Sequence, residues 1–111
     1  MSTVFGMIIE GKIPSKKVFE NERILAIEDI HPVAPVHILI MPKKQIPSLH
    51  SLEAADFPLL GEIVQVAQKI AEEKGVADGY RLITNSGPDA GQTIFHLHFH
   101  LIGGKVLGHM A

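Results

Sequence analysis

Apolar positions change their spacing along the chain, and the spacing predicts two helices and five strands. Phe5, Ile8 and Ile9 fall at helical spacing after Thr3, a candidate N-cap, and Gly11 closes this short helix. Strands are predicted over residues 16–20, 23–29, 36–41, 80–85 and 94–102. Residues 36–41 are almost continuously apolar, which predicts a central strand covered on both faces.

One long helix is predicted over about residues 53–74. Asp56 is its candidate N-cap, because Pro58 is tolerated only in a first turn, and Gly75 is its natural stop. The apolar stripe, widened by Ile63 and Ile70, comprises Phe57, Leu60, Val64, Ala67 and Ala71. The order of elements predicts an α+β fold in one domain over residues 1–111: a five-stranded antiparallel sheet with one long and one short helix.

The amino-acid composition excludes several classes of function and site. With 111 residues and 46% hydrophobic positions, the chain fits one ordinary globular domain. A net charge of −2 gives no electrostatic basis for binding nucleic acid. The lack of cysteine excludes disulfides and thiolate metal sites and fits a reducing cytoplasm, where we expect the protein. The first residues do not read as a signal peptide, and no membrane partner is expected.

Histidine and apolar residues alternate strictly from Phe95 to Leu101, with histidine at 96, 98 and 100. On a strand this alternation places the three imidazoles on one face and the apolar side chains on the other, against a core. A neutral imidazole can attack phosphorus and form a covalent intermediate, while a flanking histidine stabilises phosphate charge or protonates the leaving group. The segment therefore predicts nucleophilic phosphate chemistry.

Two other interpretations of the histidines stay open at this point. Neighbouring histidines on one strand face lie about 7 Å apart, so two of them could share a metal ion with His37 as a third ligand. No Asp or Glu lies within the strand to orient such ligands. The third interpretation is three exposed histidines on an open sheet face.

Residues near the histidines supply the groups that a phosphate would need. The loop of residues 87–93 enters the histidine strand directly, its glycines allow backbone N–H groups to approach an anion, and Gln92 and Thr93 add side-chain donors. Asn85 offers an amide to the same place. His37 is polar within an apolar strand, and we expect it to orient the histidine triplet. Asp29 could accept hydrogen bonds from a ribose.

At these residues the sequence resembles the histidine triad family, whose motif is His-x-His-x-His followed by apolar residues. The resemblance covers nearly the whole chain and is closest to the nucleotide-binding, phosphoramidase branch. It is carried by residues 8–14 (IIEGKIP), 29–37 (DIHPVAPVH), 41–44 (MPKK) and 91–104 (GQTIFHLHFHLIGG).

The resemblance implies a homodimer in which the sheets of two subunits join, and metal-free hydrolysis of the P–N bond in purine nucleoside phosphoramidates such as adenylylated lysine. It implies that His98 attacks the α-phosphorus, that His96 and His100 support the phosphate and the proton transfers, and that His37 orients the triad. The nucleotide-binding residues it implies are Phe5, Ile8, Ile27, Asp29, Ile30, Asn85, Gly91, Gln92 and Thr93.

Three positions bear on the reaction type. The nucleotidyl-transferase branch resembles His-x-His-x-Gln, so histidine at position 100 favours hydrolysis over transfer. Many relatives carry a tryptophan near the C-terminus and a serine where this chain has Thr93, whereas this chain has no tryptophan. Alternatives are a nucleotide-binding regulatory module with slow hydrolysis and a dinucleoside polyphosphate hydrolase.

Overall fold

The computed structural model describes residues 3–111 and contains one antiparallel sheet with the strand order β1-β2-β3-β5-β4. Its strands are β1 Lys17–Glu20, β2 Ile24–Glu28, β3 Val36–Pro42, β4 Tyr80–Ile83 and β5 Phe99–Gly103. Its α-helices are α1 Val4–Ile9 and α2 Phe57–Glu73. The predicted α+β fold is confirmed. No α-helix within residues 3–111 has the length and apolarity to cross a bilayer.

The central strand β3 separates two apolar clusters, as its continuous apolar sequence predicts. Ile38 and Ile40 face a cluster that includes Ile63 and Ile70 of α2. Leu39 and Met41 face the opposite cluster, which includes Phe5 of α1. Because side chains alternate across a strand, His37 lies on the same face as Leu39, beneath α1. The site described below lies on this α1 face.

The short helix α1 begins and ends where its sequence predicts. The Thr3 hydroxyl oxygen accepts a hydrogen bond from the Gly6 N–H at 3.1 Å, which caps the first turn. Gly11 then adopts a φ of +80°, a conformation that glycine reaches without the steric cost a Cβ imposes. The cap and the stop together hold Phe5 and Ile8 against the sheet.

Asp56 occupies the N-cap position of α2, as predicted, but its side chain does not make a capping hydrogen bond to this helix. A short 3₁₀ turn, Ala54–Asp56, comes first, and the Asp56 carboxylate accepts the Glu53 N–H at 3.0 Å and a hydrogen bond from Lys44 at 2.5 Å. The lysine hydrogen bond is the main reason that the pKa of Asp56 lies below its usual range. The carboxylate therefore ties the start of α2 to the loop after β3.

The buried face of α2 is rotated from the predicted stripe. The buried side chains are Ile63, Val66, Ala67, Ile70 and Ala71. Phe57 and Val64, which the prediction placed in the core, are 54% and 45% exposed. The two sets share Ile63, Ala67, Ile70 and Ala71, which confirms that part of the prediction. Val66 is the buried residue that the prediction omitted, and it helps to fill the space above β3.

The last strand is shorter than the histidine alternation predicts, because β5 begins at Phe99 rather than at residue 94. Its ladder with β3 ends at the pair Ile40–Phe99, and Pro42 beyond it has no N–H to donate. His96 and His98 therefore precede the strand, with a bend at His96, and only His100 lies within it. The apolar side of the segment faces the core as predicted at Leu97 and Leu101, whereas Phe95 is 43% exposed.

Candidate active site

A cavity of about 430 Å³ lies between α1, β2 and the segment that leads into β5. Every residue predicted to bind nucleotide lines it: Phe5, Ile8, Ile27, Asp29, Ile30, Asn85, Gly91, Gln92 and Thr93. His98 and His100 also line it, whereas His37 and His96 lie behind this lining. The cavity thus brings the glycine loop, the apolar face of α1 and two of the triplet histidines together.

His98 is held in one orientation by the backbone before it. Its Nδ1 lies 2.7 Å from the His96 carbonyl oxygen, and because a carbonyl only accepts, Nδ1 carries the proton and donates it. A neutral imidazole then keeps its lone pair on Nε2. Phe5 packs edge-on against the His98 ring at a centroid distance of 4.8 Å, and the Thr84 hydroxyl donates to the His98 carbonyl at 2.7 Å.

Burial also keeps His98 neutral. Desolvation lowers the pKa of His98, while the His96 carbonyl and the negative charge of Asp29 oppose that shift. An unprotonated Nε2 is what a nucleophile requires, and the lowered pKa extends this state to more acidic solution.

His100 and His37 form a hydrogen-bonded pair beside His98. His37 Nε2 lies 2.9 Å from His100 Nδ1, and the His98 and His100 rings are 5.2 Å apart between centroids. Burial, followed by repulsion from His98 and His37, lowers the pKa of His100 to about 4. His100 is consequently neutral at pH 7, with its other ring nitrogen left for the cavity.

His96 is the most deeply buried histidine among residues 3–111, with 1% of its surface exposed. Its Nε2 donates to the Pro42 carbonyl at 2.7 Å, and its Nδ1 has no hydrogen-bond partner within the described chain. Burial lowers its pKa. His96 thus anchors the segment to the end of β3, and its own carbonyl orients His98.

The side chain of Gln92 already forms three hydrogen bonds with backbone groups. Its Oε1 accepts the Gly87 N–H at 2.9 Å, and its Nε2 donates to the carbonyls of Pro47 at 2.8 Å and Ile94 at 3.0 Å. Both N–H groups of the amide are therefore in use. The predicted side-chain contact of Gln92 with a phosphate would require breaking one of these bonds.

The predicted glycine amides are also partly occupied. The Gly91 N–H donates to the Pro88 carbonyl at 2.9 Å, and the Gln92 N–H donates to the Gly87 carbonyl at 3.1 Å. Thr93 and Asn85 line the cavity, and within residues 3–111 neither side chain has a hydrogen-bond partner. These two side chains can therefore donate to a ligand in the cavity without breaking a bond within the protein.

Asp29 and Ile30 also line the cavity. The Asp29 Oδ1 accepts the His31 N–H at 2.8 Å, and its Oδ2 is 3.4 Å from His37 Nε2. Ile30 is 86% exposed at the rim, whereas Ile27 is buried in the cavity floor. A carboxylate beside an apolar floor suits a ribose hydroxyl next to a flat base.

Sequence reasoning missed several lining residues, among them Ile13, Leu39 and Ile94. Leu39 could have been found, because it follows His37 by two residues and so shares its face of β3. Thr84 was missed as well, since its contact with the His98 carbonyl joins two segments that are remote in sequence.

The structure changes the metal interpretation. The ligand atoms that come within 4.8 Å of one another belong to Asp29, His37 and His100, rather than to two histidines of the triplet with His37. A metal ion there would have to displace the hydrogen bond between His37 and His100. Asp29, His37 and His100 thus contact one another directly through side-chain atoms.

Comparison with known proteins gives consistent matches. Residues 10–107 match the HIT domain family. The chain is 46% identical over 109 residues to the purine nucleoside phosphoramidase of Escherichia coli, covering 97% of this chain and 92% of that protein. It is 50% identical over 109 residues to a HIT-like protein of Chlamydia pneumoniae, covering 98% and 99%. A histidine triad protein from Clostridium difficile has a similar structure, with a TM-score of 0.94, 44% identity, and coverage of 100% of this chain and 97% of that one.

Proposed function

The chain belongs to the histidine triad (HIT) family and to its hydrolase class, and we propose that it cleaves the P–N bond of purine nucleoside phosphoramidates through a nucleotidyl-histidine intermediate. One observation carries this proposal: His98 lines the cavity, and its Nδ1–H is tied to the His96 carbonyl, so that the lone pair lies on the nitrogen left free. The phosphoramidase named among the relatives supports the choice of the P–N bond.

The first step forms a bond between His98 Nε2 and the α-phosphorus and breaks the bond from phosphorus to the amine nitrogen. The amine nitrogen takes up a proton from solvent water and leaves, and His98 carries the positive charge of an N-phosphorylated imidazole. The His96 carbonyl stabilises that charge, because it already accepts the Nδ1–H at 2.7 Å. Water then attacks the phosphorus and gives a proton to the solvent, and the P–Nε2 bond breaks, which releases the nucleoside monophosphate and returns His98 to its neutral form.

The groups around His98 supply charge stabilisation and placement. His100, Thr93 and Asn85 line the same cavity and can donate to phosphate oxygens. Phe5, Ile8 and Ile27 form an apolar surface for a purine, and Asp29 can accept from a ribose hydroxyl. His96 and His37 act through other residues, and we assign them to positioning.

The charge of the cavity favours a substrate with one phosphate. Among the described residues that line it, none is Lys or Arg, and the charged ones are Glu28 and Asp29. A polyphosphate would bring several negative charges to a site without a fixed cation, which costs free energy unless a metal ion or a partner supplies the charge. This argument disfavours the dinucleoside polyphosphate alternative.

We also propose that the protein is a homodimer joined at β4. This strand is an edge of the sheet, so its outer backbone groups have no partner strand within the described chain. The exposed Phe57 and Val64 of α2 provide apolar surface that a second copy could cover. Sedimentation of the wild type as a dimer, and of Val64→Glu as a monomer, is the expected result; a wild-type monomer would contradict the proposal.

The catalytic proposal is tested by steady-state hydrolysis of an adenosine phosphoramidate with a fluorescent amine, with a chelator present. Wild type and His50→Ala, which changes an exposed histidine outside the cavity, should turn over alike, whereas His98→Ala should show no turnover and a circular dichroism spectrum of the folded protein. Turnover by His98→Ala would refute the role of His98. Binding of adenosine monophosphate without any turnover in the wild type would favour the regulatory-module alternative.

A further inference from the structure

A backbone amide contacts the histidine pair from outside the cavity. The Val33 N–H lies 3.1 Å from His37 Nδ1 in donor geometry. Because an N–H only donates, Nδ1 must hold a lone pair, and a neutral His37 then carries its proton on Nε2. Asp29 independently favours the same tautomer, since its Oδ2 faces that Nε2 at 3.4 Å and a carboxylate accepts.

The proton on His37 determines the state of His100. His37 Nε2 lies 2.9 Å from His100 Nδ1, so the Nε2–H donates and His100 Nδ1 accepts. A neutral His100 therefore carries its own proton on Nε2. Since His100 lines the cavity, the free ring nitrogen it offers is a donor rather than a lone pair.

We propose that the Val33 backbone amide is a positioning group that sets the direction of the hydrogen bonds from Val33 through His37 to His100, so that His100 presents an N–H to the substrate phosphate. With the opposite direction, a lone pair of His100 would face phosphate oxygens and repel them. The catalytic consequence rests on the proposed function, whereas the tautomers are a property of the free protein.

The first test is ¹⁵N NMR of the full, ligand-free chain with labelled histidine at neutral pH. The expected spectrum has His37 and His100 protonated on Nε2 and His98 protonated on Nδ1. The same measurement on Val33→Pro, which lacks the N–H, should show a neutral His37 that exchanges between its Nδ1-protonated and Nε2-protonated tautomers. Val33→Ala keeps the amide and should match the wild type. Protonation of wild-type His37 on Nδ1, or an unchanged His37 in folded Val33→Pro, would overturn the proposal.

Because Val33→Pro places two prolines in sequence and can fail to fold, a second pair of variants tests the next step. His37→Gln keeps an N–H donor that can reach His100, and His37→Leu removes it. We expect kcat of the leucine variant to lie about tenfold below that of the glutamine variant, the size of one hydrogen bond, and its His100 to exchange between the Nδ1-protonated and Nε2-protonated tautomers. Equal kcat values with His100 still protonated on Nε2 would refute the proposal. If no phosphoramidate is hydrolysed by the wild type, the proposed function fails, and the NMR arm still decides this one.

Discussion

Replacing Gln92 by leucine should destabilise the protein without removing a substrate contact. The substitution keeps the side-chain volume but leaves the Gly87 N–H and the carbonyls of Pro47 and Ile94 without their partners, which now lie at 2.8–3.0 Å. At about 1 kcal/mol for each hydrogen bond, the free energy of unfolding should fall by ~3 kcal/mol. For a chain of this size that corresponds to a melting temperature lower by roughly 12 °C.

Thr93→Val is the matched control, because Thr93 is exposed and its side chain has no partner in the described chain. Urea denaturation should show its free energy of unfolding within about 0.5 kcal/mol of the wild type. Calorimetry should show adenosine monophosphate bound about tenfold more weakly, from the loss of one charge-assisted hydrogen bond. If Gln92→Leu keeps full stability and loses affinity instead, Gln92 is a phosphate donor, and the reasoning from its hydrogen bonds is wrong.

Three further predictions concern the Thr84 hydroxyl, the neutral histidines and the close approach at Gly103. Thr84→Val removes the donor to the His98 carbonyl at 2.7 Å, so steady-state assays should show a lower kcat than for Thr84→Ser, and equal values would contradict this. Because burial lowers the pKa of His98 and takes that of His100 to about 4, both stay neutral in the folded state while the unfolded chain takes up protons below about pH 6.5. The melting temperature should therefore decline as the pH falls from about 6.5 toward the pKa values of the folded state. The decline should be less steep in His100→Gln, and a melting temperature that does not depend on pH would contradict this prediction. A Cβ on Gly103 would lie 3.2 Å from the Gly79 carbonyl oxygen, so Gly103→Ala should lose ~1–3 kcal/mol in urea denaturation, and wild-type stability would show that this contact relaxes freely.

Local pattern predicted most of the fold because the local preferences agree with the tertiary structure. The Thr3 cap, the Gly11 and Gly75 stops and the apolar strand at the centre of the sheet need only information within a few residues. The rotation of α2 could not be predicted in the same way. The helix buries Val66 and exposes Phe57 and Val64, and this choice at the edges of the apolar face depends on the shape of the sheet, which no local pattern contains.

The histidine segment shows the same limit at the site. Alternation from Phe95 to Leu101 predicted a strand, but the ladder ends at Phe99 because Pro42 cannot donate. The predicted nucleotide-binding residues nevertheless all line the cavity, because the fold places α1, β2 and the loop of residues 87–93 side by side. Gln92 donates a hydrogen bond to the Pro47 carbonyl, and His96 donates one to the Pro42 carbonyl. Each bond joins segments that are remote in sequence, so no local pattern predicts it.

The central claim is that His98 forms the covalent intermediate, and rapid quenching tests it most directly. Wild-type enzyme is mixed with an excess of an adenosine phosphoramidate, quenched within the first turnover and analysed by mass spectrometry of its peptides. The account predicts an adenylyl group on the peptide that contains residues 96–100, located on His98 and absent from His98→Ala. An adenylyl group on another residue, or first-turnover amine release without any protein adduct, would contradict it.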